Sequence, residues 1–445
     1  MIDEQDKYFQ KEVVPSFEKE NAARMDVVHY EHLDSIGNML GKYPEAALVK
    51  IPFSEGSRLA ESELLLPLNR FLTEEELREY RNTYLLTSLA ERRGECYFVP
   101  RKFETRIMVY RKSKVAWAYA RWREHRTAIH EALQPLNGYG LPATYILEQD
   151  PGEWDYFDVF AVGWLWANAD GGADGAGRVA HRGKRYTATA QRIIDRVYQC
   201  GGDSAAVVSL QGEAVSDAFY WEAMYAYAGI YNPRMWEKKW SGSDIWQGFA
   251  DEEVYLSFMT QLDCFYLHGT GRDGLNGYLS DPEDMGVAIM PRGCSVTLDE
   301  QGSVVRRGTH AITTGGWWWG IPAQTPDPRK SYALARHITN TDNQIQECSR
   351  FGMIPVRKDI LSDMSLLFGG TWISQIYSVS FKQLMHNNRN TVPAHTGIDQ
   401  IIDTYLDAWF QIVVEQDWSS DGKVPDRNYV KSILQQYADG LSAGE

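Results

Sequence analysis

The chain has 445 residues, 44% of them hydrophobic and 24% charged, with a net charge of −15 and 15 tryptophans. This is ordinary globular composition, and the length points to two or three domains with cores that need no disulfide support. The acidic balance argues against nucleic-acid partners and anionic membrane surfaces, both of which require clustered Lys and Arg.

In chain order, residues 7–20 carry Phe9, Val13, Val14 and Phe17 at helical spacing. "MDVVHY" (25–30) reads as a short strand, and "AALVKIPF" (46–53) as a buried one. Thr73 and Glu76 fit a capping box that starts a helix. "CYFVP" (96–100) and "RIMVYR" (106–111) read as strands. Helices are expected in "KVAWAYARWREHRTAIHEAL", "YTATAQRIIDRVYQC" and "DEEVYLSFMTQL". "CFYLHG" and "MGVAIMP" read as strands, and "VVRRGTHAITTGGWWWGIP" as a hairpin or strand pair. The remainder is mostly helical: "RKSYALARHI", "NQIQECSRFG" with Gly352 as its C-cap, "GIDQIIDTYLDAWFQIVVE" and "RNYVKSILQQYA". Strands mixed with helices give an α/β class.

Several motifs carry less than their letters suggest. "GTGRDG" (269–274) matches G-x-G-x-x-G, but Gly277 and Pro282 stand where the dinucleotide fingerprint needs a helix, so a turn is expected. "DWSSDGKVPDRN" (417–428) has Asp417, Ser419, Asp421 and Gly422 at calcium-loop positions. Asn428, however, stands where a bidentate Glu is required. "HEAL" lacks the second histidine of a zinc protease helix, and there is no nucleophile elbow or P-loop. Cys96, Cys200, Cys264, Cys294 and Cys348 form no CxxC pair. A disulfide framework or zinc site is not expected, and Cys264 is read as a small buried hydrophobe. The N-terminus shows no basic, apolar and small-residue succession of a signal peptide, and no run approaches a membrane span.

The aromatic residues are more informative. Trp317, Trp318 and Trp319 stand in a row between glycines. As a strand, Trp317 and Trp319 share one face and Trp318 points the other way. One face can pack on a core while the other offers rings to a sugar, whose C–H faces suit aromatic surfaces.

Six segments, in order from about residue 7 to the C-terminus, resemble the extracellular solute-binding proteins of ABC transporters. The similarity is to family 1, the sugar-binding, maltose-binding-protein-like set. They are "YFQKEVVPSFEKEN" with "MDVVHY", "LAESELLLPLNRFL", "RGECYFVPRKFETRIMVYRKSKV", "YFDVFAVGWLWANADGG", "GGWWWGIPAQTPDPRKSYALARHITN" and "SRFGMIPVRKDIL". The resemblance implies a bilobal, type II periplasmic-binding fold with two α/β lobes joined by a multi-crossing hinge. Lobe 1 would comprise residues 1–110 and 266–320, and lobe 2 residues 111–265 and 321–445. The ligand would lie between lobes that close on it.

By matching segments, the resemblance implies ligand contacts from Phe53, Ser54, Glu104, Tyr156, Trp164, Trp166, Trp317, Trp319 and Trp372. It implies a monomeric binding protein, not an enzyme. No cofactor and no metal are expected. Its partners would be a sugar or oligosaccharide and the permease subunits of an ABC transporter, with no nucleic acid. The family's location is periplasmic or extracellular. Two departures stand out: only Met1 and Ile2 precede the first helix, so lobe 1 is expected to lack its first strand, and the export signal is not seen. A carbohydrate-active enzyme with an aromatic cleft, or a non-transport sugar sensor on the same scaffold, remains an alternative. A polyol or glycerol phosphodiester is a further ligand class, disfavoured slightly by the net charge.

Overall fold

The structure is a computed structural model. It describes residues 3–30, 36–169, 176–270, 275–364, 368–369, 371–387, 390–393, 397–416, 418 and 423–442. The strands that matter here are β1 (Val49–Pro52), β2 (Phe98–Glu104), β3 (Arg106–Arg111), β4 (Val179–Ala180), β5 (Leu256–Thr260), β6 (Met285–Ala288) and β7 (Gly315–Gly320).

The chain forms two compact units. The first holds residues 1–104, 270–275 and 314–378, and the second holds 105–269, 276–313 and 379–445. This differs from the division expected by resemblance. The first passage between units comes at 104/105, residues 276–313 belong to the second unit, and residues 321–378 belong to the first. Pairing explains the change. β3 is bonded along its length to β5 and β6, so it cannot stay with β2. The helices Pro328–Ile338 and Thr341–Phe351 are tied to the first unit, where the Tyr84 hydroxyl meets Thr339 Oγ1 at 2.7 Å and Arg101 pairs with Glu347.

In the first unit, β7 is the middle strand of an antiparallel sheet ordered β1-β7-β2. The three tryptophans therefore lie at its centre. A bulge at Arg101 interrupts the pairing of β2. In the second unit the order is β4-β5-β3-β6, with β4 parallel to β5 and the other pairs antiparallel. Helices including Lys112–Asn137, Tyr156–Asn168, Thr187–Gln199 and Glu213–Tyr227 make up much of the rest of this unit. A buried ionic knot joins several of them: Glu222 accepts from Arg192, Arg196, the Tyr231 hydroxyl and Trp409 Nε1. Burial alone would raise this carboxyl. The two guanidiniums outweigh it and hold Glu222 well below the usual carboxylate range.

Several sequence expectations hold. The Thr73–Glu76 box forms, with Thr73 N donating to Glu76 at 2.7 Å. Gly352 ends its helix at φ 66°. Cys264 is buried.

Others are corrected. "LSFMT" inside the expected helix 251–262 is strand β5, because it fits between β3 and β4 with its first four residues buried. The expected strand "CFYLHG" is instead part of the helix Gln261–His268, started by a capping box in which Asp263 accepts from Thr260 N at 2.9 Å. "MDVVHY" is extended without a strand partner, and none of its residues is buried. In "VVRRGTHAITTGG" only the last two glycines enter a strand. The preceding backbone makes isolated antiparallel bridges, Cys294 with Arg307 and Leu298 with Val304, and then turns to side chains, with Ile312 N donating to Asn387 at 3.1 Å and Thr313 N to Asp195 at 2.9 Å. The first element among the described residues is the helix Asp3–Tyr8. Residues 271–274, and Asp417, Ser419, Asp421 and Gly422, lie outside the described residues.

Candidate functional site

The sheet of the first unit has two chemically different faces. Along one face lie Ile51, Phe53, Phe98, Phe103 and Trp318. Phe53 lies flat on Trp318, with centroids 3.8 Å apart and planes 12° apart, and meets Phe103 edge-on. Phe98 stacks on the same indole at 5.5 Å. This face is core.

Along the other face lie Lys50, Trp317, Trp319, Lys102 and Glu104, as the pairings Lys50↔Trp319 and Lys102↔Trp317 require. The bulge adds Arg101 to it, with the guanidinium 5.9 Å from the Trp319 ring. The Lys50 ammonium stands 4.4 Å from the centroid of the half-buried Trp317 ring. Lys102 forms an ion pair with Glu104, which ends β2 opposite Gly315. Arg101 and Glu347 form a buried bidentate pair that Gln5 joins through Glu347. Burial first, then the neighbouring Lys102 and Arg101, push the Lys50 amine down to about 7.

Gly316 makes this arrangement possible. Its φ is 146°, and an added Cβ would lie 2.4 Å from the Lys102 carbonyl oxygen and 2.9 Å from the Phe53 ring. Only glycine serves there.

The expected site residues separate accordingly. Trp317 and Glu104 are half-buried and share one face of the sheet. Trp319 shares it too but is covered, with Phe9 stacked at 6.3 Å. Phe53 is taken from the expected ligand set into the core, at 8% exposure. The Ser54 side chain lies outside the described residues.

In the second unit, Tyr156 and Trp166 are 0% and 1% exposed, so both are packing residues. Tyr156 OH donates to Gln199 at 3.0 Å and Trp166 Nε1 to the Lys114 carbonyl at 3.1 Å. Each ring is thus buried with its polar tip bonded. Trp164, half-buried near His125, and Trp372, half-buried at a helix start, remain accessible. The resemblance did not bring out Lys50. The signal was present in the sequence, as one lysine inside the apolar run "ALVKIPF".

Among the described residues no group of His, Cys, Asp and Glu is arranged to hold a metal, and no helix is long and apolar enough to cross a membrane.

Two α/β units, exchanged several times along one chain, are the architecture of solute-binding proteins. The chain belongs to the bacterial extracellular solute-binding protein family, whose model matches residues 16–365. Its fold is that of the periplasmic sugar-binding proteins. The maltose-bound MalE3 of T. maritima superposes with a TM-score of 0.64 at 15% identity, covering 99% of this chain and 97% of that one. The sugar-binding protein MalE of Xanthomonas citri gives 0.65 at 14% identity, with 99% and 95% covered. The GacH receptor of Streptomyces glaucescens, solved unliganded and with acarbose, gives 0.63 at 13%, with 99% and 96% covered. No curated protein matches the chain.

Proposed function

We propose that this protein is the substrate-binding component of an ABC transporter, capturing a sugar or oligosaccharide outside the cytoplasm and delivering it to membrane permease subunits. It acts as a monomer and turns nothing over. The observation that carries this reading is the face that holds Trp317 beside the Lys102–Glu104 pair. A ring for the apolar face of a pyranose stands next to a carboxylate and an ammonium for its hydroxyls. Family membership supports it, and so do relatives in the solved structures that hold maltose, acarbose and maltopentaose. Half-buried Trp164 and Trp372 are the further aromatic contacts in this reading.

The test is thermal unfolding against mono-, di- and oligosaccharides and polyols. A ligand bound only by the folded chain stabilises it by about 2.7 kcal/mol at a hundredfold excess over Kd. A midpoint shift with one saccharide class, with that saccharide recovered intact, is the expected result. Hydrolysis of the saccharide would instead establish the enzyme alternative, and no shift with any member would remove the sugar-binding reading.

A further inference from the structure

The polar face of the first unit's sheet carries more positive charge than its own carboxylates balance. Arg101 is matched by Glu347 and Lys102 by Glu104. Lys50 is left over: among the described residues its ammonium makes no hydrogen bond or ion pair and has only the Trp317 ring, at 4.4 Å. Trp319 Nε1 and Arg101 Nε on the same face also have no acceptor, but both are covered and stay out of reach of a ligand. A cation half-removed from water without an anion is costly, and an indole face compensates for only part of that cost. The amine's lowered proton affinity is the corresponding electrostatic signature. The groups that set it are burial, then Lys102 and Arg101, opposed by Glu104 and Glu347. One cation uncompensated among the described residues and an adjacent half-buried ring describe a place for a single negative charge attached to a ring or polyol.

We infer that Lys50 and Trp317 form an anion subsite, and that the ligand is a saccharide or polyol bearing one monoanionic group, a uronate carboxylate or a phosphodiester. This rests on the sugar-binding reading and narrows its substrate class. A monoanion fits because one positive charge is in surplus, whereas a dianion would leave a net negative charge beside Glu104 and Glu347.

The experiment is calorimetric titration of the full chain with methyl galactopyranosiduronate, which carries one carboxylate, and its methyl ester, and with diglycerol phosphodiester and diglycerol. Each pair differs only in the charged group. One member of either pair should show roughly tenfold or greater preference for the acid at low salt, as a charge-assisted bond implies, and the preference should shrink with added salt. Binding near pH 7.5 should take up protons, because the anion restores the Lys50 charge. This is read from the dependence of the heat on buffer ionisation. Lys50→Met should abolish the preference and the proton uptake, whereas Lys50→Arg, whose charge is fixed, should keep the preference without the uptake.

Preference in the galacturonate pair assigns a carboxylate, and in the diglycerol pair a phosphodiester. Equal binding of acid and neutral partner, or a preference that survives in Lys50→Met, overturns the inference without needing the variant to be anything but folded. Neutral sugars bound while neither acid is bound would overturn the subsite and leave the sugar-binding reading standing. No saccharide bound at all would overturn both.

Discussion

Phe53 and Trp318 lie face to face, 3.8 Å between ring centroids, on the covered side of the sheet whose other side carries Trp317. Neighbouring tryptophans thus have opposite duties. Truncating Phe53 or Trp318 to alanine should destabilise the chain by about 3–5 kcal/mol, the cost of emptying a large aromatic site. A double-mutant cycle between them should give a coupling of about 0.5–1.5 kcal/mol. Trp317→Ala should cost less than either and weaken saccharide binding instead. Urea unfolding with and without ligand separates the two behaviours. Equal destabilisation by Trp317→Ala would show that its ring is core as well.

Gly316→Ala should be destabilising by more than about 1 kcal/mol. Its backbone at φ 146° is closed to a side chain, and the new methyl would meet the Lys102 carbonyl at 2.4 Å. The neighbouring Gly315 has no such conflict, since an added Cβ there meets nothing nearer than 3.5 Å. Gly315→Ala is therefore the internal control, expected within about 0.5 kcal/mol of the parent in thermal melts.

Asp195 ties together Arg106 and Thr313 in the second unit. It accepts from Arg106 Nη2 at 2.8 Å, Thr313 N at 2.9 Å and Thr313 Oγ1 at 2.7 Å. These residues stand beside two of the points where the chain passes between units. Asp195→Ala should cost about 3–5 kcal/mol, because it strands a half-buried guanidinium. Asp195→Asn should cost less but speed hydrogen exchange at the Thr313 amide. Unchanged protection of that amide would mean that Asp195 does not hold this segment.

Stability should fall with acid before the carboxylates titrate. Burial first, with Arg292 and His386 adding to it against the Met290 carbonyl, pushes His310 down to about 4. The unfolded chain protonates this imidazole near its ordinary value of about 6.5, while the folded chain keeps it neutral. The contribution is therefore full above that value and is lost as pH falls toward 4, amounting to no more than about 3 kcal/mol. Urea midpoints of the parent and His310→Asn between pH 7 and pH 4.5 check this. The parent should lose more stability than the variant over that range.

Much of the architecture was legible because local physics and tertiary packing agreed. The Thr73–Glu76 box, the Gly352 cap and the alternation of Trp317, Trp318 and Trp319 depend on residues a few positions apart. The misreadings arose where they disagreed. "LSFMT" has no helix-breaking residue, and only its place between β3 and β4 makes it a strand. The helix that follows could have been found, since Thr260 and Asp263 repeat the capping pattern seen at Thr73. Residues 304–314 look like strand by composition, but they make only isolated antiparallel bridges to residues 294 and 298, and the backbone of Ile312 and Thr313 is bonded to Asn387 and Asp195, far away in the chain.

For the candidate site, the order of motifs along the chain pointed to the family, and with it the fold. Alternation along one strand determined that Trp317 and Trp318 would face opposite ways. Which of those faces is covered was decided only by tertiary structure, because burial depends on what another part of the chain brings to the surface. Phe53, Tyr156 and Trp166 were drawn inside by partners at Trp318, Gln199 and Lys114. Lys50 became notable only when Arg101 and Lys102 arrived beside it with their charges already matched. An uncompensated charge is a property of a neighbourhood, and the net −15 of the chain says nothing about it.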